Sequence, residues 1–491
     1  MARATVPPGG SEPARLVETL TAVLLFLGER AYKLKKAADL GFLDFTSREA
    51  RQAACYAEVA LNRRLAPDVY LGVADVLGPD GSPCDHLVVM RRMPDDRRLS
   101  TLVRRGAAVD DELRALARLL AGFHSRCRTS AEITRAGGVA AVRGLWDEGL
   151  DQLARFAGTV LDAATLDEIG RRARDYLAGR GPLLAARQRA GLVRDGHGDL
   201  LADDVFCLPD GPRVLDCLEF DERLRVGDVL GDVAFLVMDL ERLGAPGAAR
   251  RFLDWYREFS AEAHPPSLAH LYVAYRAFVR AKVACLRAGQ GDPEAAAEAR
   301  RLAGMSVDHL RRGRVRLVLV GGLPGTGKTT LAAELARHSD GWTLISSDVV
   351  RKELAGRRVL DPARGAVGEG LYRPEAVRAT YGEMLRRARC ALGLGESVVL
   401  DATWVSAGRR GEAAAVAART ASELVELRCE APEAVALERI ANRAEEAGPS
   451  EATAEVYHRL ATLADPWPSA AVVPTAGART AVRRVVERAV A

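Results

Sequence analysis

Gly322-Leu323-Pro324-Gly325-Thr326-Gly327-Lys328-Thr329 is the stretch on which the reading of this chain turns. Its Gly-x-x-x-x-Gly-Lys-Thr spacing follows the apolar run 317–320 and opens a helical pattern over 329–338. In that setting such a loop cradles phosphates. The glycines let backbone N–H groups curl around an anion, and the helix N-terminus adds partial positive charge. Lys328 is expected to reach the β- and γ-phosphates, and the Thr329 hydroxyl to ligate Mg²⁺. Nucleotide contacts are expected from Gly322, Leu323, Pro324, Gly325, Thr326, Gly327, Lys328, Thr329 and Thr330. ATP with Mg²⁺ is the cofactor pair this implies; GTP stays open as the alternative nucleotide.

Working outward, 342–346 reads as a strand, 376–392 as a helix, and 398–401 and 424–429 as further strands. Strands alternating with helices predict an α/β domain with a mostly parallel sheet. Carboxylates just past strand C-termini face the phosphate crevice in such sheets. Asp348, in Ser346-Ser347-Asp348, is placed to accept the proton of an acceptor hydroxyl. Arg351, one turn later, is placed to hold the acceptor or a phosphoryl oxygen. Capping of the helix that starts there is the plainer role for Asp348. Asp401 ends a buried strand in the manner of a magnesium-shell carboxylate. Arg439 and Arg443 share a helix face and are candidates to close over the transferred phosphate, or form a solvated face.

Over residues 315–465 this half resembles the small P-loop kinases, a group that includes gluconate kinases, chloramphenicol phosphotransferase, zeta toxins and the kinase domain of polynucleotide kinases. The resemblance rests on the phosphate loop, on Ser347-Asp348-x-x-Arg351-Lys352 and on Leu400-Asp401-Ala402-Thr403. It implies that Asp348 activates the acceptor hydroxyl. It implies a reaction type and leaves the substrate open.

Residues 1–310 have a different character. A strand-rich start (23–36, 69–76, 87–93) gives way to long Ala/Leu/Arg helices after about residue 100, interrupted over 194–232. A small β-rich lobe followed by a larger helical lobe is expected. Within the interruption stand Arg194-Asp-Gly-His197-Gly198-Asp199-Leu200 and Val214-Leu-Asp216-Cys-Leu-Glu219-Phe. These resemble the catalytic and metal segments of aminoglycoside phosphotransferases and related kinase-like small-molecule kinases. The resemblance implies that Asp199 is the catalytic base and that His197 supports its loop. It puts a metal ligand at Asp204 and a second at Asp216 or Glu219. It also implies a structural anchor at Asp228 and Asp232. Two positions depart from the family: Asp204 stands where Asn is usual, and Leu201 where His is frequent. Aspartate oxygen still suits Mg²⁺. Upstream, Lys33 or Lys35, on one face of a strand, with Glu58 on the next helix, fits the lysine–glutamate pair that holds phosphates in kinase folds. Lys33 is the preferred member. No glycine-rich loop precedes it.

A chain of 491 residues exceeds what one core supports, so two domains are expected. Arg311-Arg-Gly-Arg314 separates them, giving a kinase-like bilobal domain over 1–310 and a P-loop kinase/ATPase domain over 311–491. Together they resemble a bacterial two-domain family, an aminoglycoside-phosphotransferase-like domain fused to a P-loop domain. Segments such as Tyr32-Lys-Leu-Lys-Lys36, Gly41-Phe-Leu-Asp-Phe45 and Asn62-Arg-Arg-Leu-Ala-Pro-Asp-Val-Tyr-Leu-Gly72 add to it.

A net charge of +4 and the lack of an aromatic-studded basic groove argue against nucleic acid as partner, and so against a polynucleotide 5′-kinase. No run reaches the length of a membrane-spanning helix, and no secretory signal is visible. The eight cysteines lack Cys-x-x-Cys spacing, which fits a reducing, cytoplasmic setting. The expected function is ATP-dependent phosphoryl transfer to a small-molecule hydroxyl. The alternatives are a ligand-sensing, degraded kinase-like half that regulates a P-loop ATPase and, less favoured by the charge, a polynucleotide 5′-kinase. Of 70 basic residues only Lys33, Lys35, Lys36, Lys282, Lys328 and Lys352 are lysine, so each surviving ammonium marks a place to look.

Overall fold

The computed structural model describes residues 14–19, 21–39, 43–338, 342–358, 370–443, 453–476 and 484. Packing divides the chain into two compact units. The first comprises Met1–Val142, Arg187–Ala263 and Tyr275–Arg280; the second comprises Arg143–Ala186, His264–Ala274 and Ala281–Ala491.

The first unit begins with an antiparallel sheet of five strands: β1 (Arg15–Glu18), β2 (Ala22–Leu27), β3 (Arg30–Lys35), β4 (Tyr70–Leu77) and β5 (Pro83–Arg91), in the order β1-β2-β3-β5-β4. A two-residue turn at Gly28-Glu29 joins β2 to β3, with Gly28 at φ 56°. That left-handed value is one glycine adopts without cost. The helix Arg48–Asn62 starts where Ser47 accepts a hydrogen bond from the Ala50 N–H, and it lies on β4 and β5. Its Cys55 and Val59 join Tyr70, Val88, Met90 and Phe206 in one apolar core. The larger lobe of this unit is helical. Its helix Val229–Arg242 is buried along nearly its whole length, as an all-round apolar helix must be. Short ribbons interrupt the helices: β6 (Val193–Asp195) with β9 (Val226–Asp228), and β7 (Val205–Leu208) with β8 (Gly211–Val214). A small β lobe with a helical lobe is the bilobal, protein-kinase-like arrangement expected.

The second unit is built on a parallel sheet of β10 (Arg316–Gly321), β11 (Trp342–Ser346), β12 (Ser397–Asp401), β13 (Glu423–Glu430) and β14 (Ala471–Pro474), in the order β11-β12-β10-β13-β14. Every residue of β10 and β12 is buried, which is why both read as continuous apolar runs. The four strands expected from the sequence are present. β14 was not anticipated: four residues ending in proline, three of them solvent-facing, give no strand signal of their own.

Helices from the first 310 residues belong to this second unit. Helix Ala163–Gly179 lies against helix Ala295–Arg312. Arg180, only 1% exposed, donates through Nη1 to the carbonyls of Gly179 (3.1 Å), Leu392 (2.6 Å) and Thr420 (3.0 Å), and through Nη2 to Ala421 O and Ser422 Oγ, both at 3.4 Å. Those carbonyls lie at the C-terminal ends of helices Ala163–Gly179, Pro374–Gly393 and Ala407–Arg419. Such ends carry orphan acceptors and partial negative charge, and one guanidinium serves all three. At Gly179 a Cβ would lie 1.9 Å from Thr420 O, so this close approach requires glycine. Among the described residues no helix is long and apolar enough to cross a membrane.

Candidate functional site

In the second unit the central strand β10 runs into the phosphate loop. Gly322, Gly325 and Gly327 take positive φ values of 131°, 76° and 85°, the conformations that turn successive N–H groups inward. At Gly325 a Cβ would also meet Ala436 O at 2.3 Å. The helix Lys328–His338 opens at once, and Lys328 Nζ folds back to Leu323 O (3.0 Å). The loop is braced by Thr326 Oγ1 donating to Leu323 O (2.7 Å) and by Thr475 Oγ1 donating to Thr326 O (2.6 Å). Thr475, just past β14, escaped the sequence reading because nothing in its local sequence ties it to residue 326.

Parallel register brings Val320, Asp401 and Ser346 level at the ends of β10, β12 and β11. Thr329 Oγ1 donates to Asp401 Oδ2 at 2.9 Å. Burial raises the Asp401 pKa, the Lys328 charge and the Thr329 bond oppose this, and the nearby Asp348 charge adds to it. Asp348 therefore shares this crevice. The N-cap of helix Ser347–Leu354 is Ser346 rather than Asp348, and the Asp348 carboxylate instead accepts from Arg351 Nη1 at 2.6 Å. The Arg351 guanidinium stacks 4.7 Å from the Tyr372 ring. Arg439 donates to Gly325 O (3.3 Å) and Thr475 O (2.9 Å), so it touches the phosphate loop through its backbone. The Arg443 side chain lies outside the described residues. Thr330 is exposed on the first turn of the helix.

The first unit gathers a second set. Glu58, wholly buried, accepts from Lys33 Nζ through Oε1 (2.9 Å) and from Lys35 Nζ through Oε2 (2.7 Å). Lys33 also donates to Asp216 Oδ1 at 2.5 Å, and Lys35 to Glu219 Oε1. Both members of each alternative left open by the sequence thus stand in one network: Lys33 with Asp216, Lys35 with Glu219, and Glu58 shared. Burial works against the charge on Lys33, but Asp216, Glu58 and Glu219 outweigh it and hold its pKa well above the usual value. Burial likewise opposes the Asp216 charge, yet Lys33 holds that carboxyl below the usual range. The Glu219 side chain is 9% exposed and that of Asp216 49% exposed. The one faces the lobe interior, and the other is accessible to a ligand.

The His-Gly-Asp loop is fixed from behind. Asp232 accepts from the N–H groups of His197 (2.7 Å) and Gly198 (2.8 Å) and from His124 Nε2 (3.0 Å). Arg64 donates to the carbonyls of Asp195 (3.0 Å) and Gly196 (2.7 Å). His197 is buried, its Nε2 3.1 Å from Leu215 O, and burial lowers its pKa. Asp228 pairs with Arg187 at 2.7 Å away from the loop tip. Burial raises Asp199, with Arg280, 3.8 Å away, opposing and Asp216 adding. Asp204 is pushed well above the usual range by burial and then by Asp216, Asp199 and Asp203, with Arg98 opposing. Asp204 and Asp216 are the carboxylates that the sequence puts forward to hold a divalent cation, and their oxygen atoms are of the type Mg²⁺ takes. Among the described residues, no three His, Cys, Asp or Glu side chains are already drawn together around a metal-sized space.

The AAA domain family AAA_33 matches residues 317–467. Among solved structures, a choline/ethanolamine kinase family protein from Mesorhizobium loti is 14% identical, with TM-score 0.37, over 62% of this chain and 94% of its own. Kti12 of Chaetomium thermophilum, solved with ADP-AlF3, is 19% identical, with TM-score 0.28, over 35% of this chain and 96% of its own. At these scores neither likeness speaks to substrate. The uncharacterized protein Rv2004c of Mycobacterium tuberculosis is 44% identical over 462 residues, 94% of this chain and 92% of that protein. The chain therefore belongs to the family of this mycobacterial protein.

Proposed function

We propose that the protein is an ATP-dependent phosphotransferase that moves the γ-phosphate to a hydroxyl of a small molecule, with the P-loop crevice as its active centre. The observation that carries this reading is the 2.9 Å bond between Thr329 and Asp401, with Asp348 and its partner Arg351 beside it. Phosphate loop, metal-type carboxylate and candidate base meet at the C-terminal ends of three parallel strands, where ligands of open α/β sheets bind. Asp348 takes the proton of the acceptor hydroxyl, the freed oxygen bonds to the γ-phosphorus, and ADP leaves with the bridging oxygen. Lys328 holds the β- and γ-phosphates, and Arg351 steadies the acceptor or a phosphoryl oxygen. Thr329 and Asp401 would hold Mg²⁺, which supplies positive charge against the phosphates. Arg439, bonded to the loop backbone, keeps the cradle's shape. That residues 1–310 carry the kinase-like site and residues 311–491 the P-loop site, as regions of function and not as separately folding pieces, is part of the proposal, as is the cytoplasmic setting; the free state of all eight cysteines supports the latter.

The test is incubation of the full chain with γ-labelled ATP, Mg²⁺ and fractionated metabolites. A labelled acceptor that disappears with Lys328→Ala is the expected result. Folded, ATP-bound protein that labels nothing across broad mixtures counts against the proposal.

One observation favours a second reading, in which the kinase-like half senses a ligand. Only residues 19–21 separate β1 from β2, and none is glycine, so a backbone cradle for a triphosphate is missing there. Mg²⁺-dependent ATP binding that survives Lys328→Ala and vanishes with Lys33→Met would rule that reading out. It would make Asp199, with Asp204 and Asp216, a second transfer site.

A further inference from the structure

Thr475 directly follows β14 and is buried, two strands away from the strand that carries the phosphate loop. The loop curls over the ends of β13 and β14 to meet it. A Cβ at Gly322 would lie 2.5 Å from Cys429 O, and one at Gly327 would lie 3.3 Å from Thr475 Cβ. The Thr475 hydroxyl has two carbonyls within reach, Thr326 O at 2.6 Å and Glu430 O at 2.9 Å. Its single proton goes to Thr326 O, the nearer acceptor, because Glu430 O already accepts the Thr475 N–H at 2.8 Å.

That bond fixes a peptide plane. Among the described residues every peptide bond is trans, and a trans unit points its C=O and its N–H to opposite sides. With Thr326 O drawn toward Thr475, the Gly327 N–H is turned away from it. Among the described residues no hydrogen bond uses that N–H, which stands one position before Lys328. The neighbouring groups are held as well. The Thr326 hydroxyl donates to Leu323 O at 2.7 Å, and Arg439 bridges Gly325 O and Thr475 O.

We propose that Thr475 is a positioning residue for nucleotide binding, whose hydroxyl sets the 326–327 peptide so that the Gly327 N–H is presented to the phosphates. The proposal rests on the reading of the P-loop crevice as a nucleotide site. Without the hydroxyl, the peptide loses the bond that orients it and is free to turn its N–H out of the cradle. The loss therefore falls on phosphate recognition, whichever base or acceptor is bound.

Titration calorimetry of the full chain with ATP and with inorganic tripolyphosphate, both with Mg²⁺, tests this at the site that Lys328→Ala abolishes. Thr475→Val keeps the shape of the side chain and removes the hydroxyl; it should weaken both ligands by about tenfold, the scale of one hydrogen bond. Thr475→Ser restores the hydroxyl and should bring both affinities back to within about threefold of wild type. Thr475→Ala, expected to show the same loss as valine, serves if the valine variant does not fold. Wild-type affinity in the variants without the hydroxyl overturns the proposal, and so does a serine variant that is not restored, since packing would then be the cause. A loss confined to ATP, or a wild-type protein that does not hold tripolyphosphate at millimolar concentration, overturns it too, because the hydroxyl would then act on something other than the phosphate cradle. If Lys328→Ala abolishes no site, the nucleotide reading itself fails, and the proposal with it.

Discussion

Lys33 and Asp216 are joined at 2.5 Å, although 183 residues separate them, and Asp216 holds a left-handed backbone at φ 63° in making the contact. A non-glycine residue in that region carries strain that its surroundings must sustain. Here the sustaining bonds are to Lys33 and, through the Asp216 N–H, to the Tyr70 hydroxyl at 3.1 Å.

Glu58 is the member of this network with the least access to solvent, and it neutralises two ammoniums at once. Glu58→Ala leaves both lysines short of a counter-ion, and a loss of roughly 3–5 kcal/mol is expected. Urea unfolding followed by circular dichroism measures it. A wild-type midpoint would mean that Asp216 and Glu219 suffice.

At the P-loop centre two substitutions separate binding from chemistry. Lys328→Ala should abolish phosphoryl transfer together with tight nucleotide binding. Asp348→Asn should keep nucleotide affinity and lower turnover by about 100-fold or more, the scale of general-base catalysis. Nucleotide titration beside steady-state kinetics reads both. If both variants lose affinity equally, Asp348 is structural.

Gly325→Ala combines a disallowed φ with a Cβ 2.3 Å from the Ala436 carbonyl. More than about 1 kcal/mol of stability should be lost, and nucleotide affinity with it. Thermal melting with and without ATP separates the two effects, and an unchanged melt would show that the loop relaxes freely.

Arg180→Met removes the donor shared by three helix ends. Leaving several buried carbonyls unsatisfied should cost roughly 2–4 kcal/mol. The fragment 311–491 lacks Arg180 altogether and should show no cooperative melt, whereas the full chain does. A well-folded 311–491 fragment would place the structural boundary where the sequence pattern changes.

Acid should loosen the second unit partly through Glu168, whose carboxylate is held at a pKa of about 2 by bonds to Arg311 (2.9 and 3.0 Å) and Arg172 (2.6 Å). A carboxylate lowered on folding stabilises the fold above its ordinary pKa, and that contribution is lost as pH falls toward 2. Glu168→Gln should therefore flatten the decline in melting temperature between about pH 4.5 and 2. The effect is small, because the group borders solvent. A parallel decline in both proteins would assign acid lability elsewhere.

What could be read beforehand follows from where the information sits. β10, β12 and the phosphate loop are specified locally, by uninterrupted apolar runs and by glycines at fixed offsets. That Asp401 and Asp348 lie at one edge was legible, because strand ends in a parallel sheet share it. The pairings Lys33–Asp216 and Lys35–Glu219 were not, since both lysines lie on one face and both acids carry partial family resemblance. Only the fold tells them apart, leaving Asp216 half-open and enclosing Glu219. Arg180 gave no signal, because its partners are chiefly backbone carbonyls up to 241 residues away and the chain holds scores of arginines. Thr475 is silent for the same reason. The Arg443 side chain and Gly41-Phe42 of the family-like segment fall outside the described residues.

The guanidinium of Arg180, buried among carbonyls contributed by the last third of the chain, bears on how such a gene is inherited. A recombination joint near codon 311 would hand one daughter the parallel sheet without the side chain that closes two of its helices, and the other daughter that side chain with only the end of its own helix to close. Neither product inherits a finished nucleotide-binding unit. Shuffling at that joint is therefore self-defeating, and the two halves are expected to descend together as one indivisible reading frame.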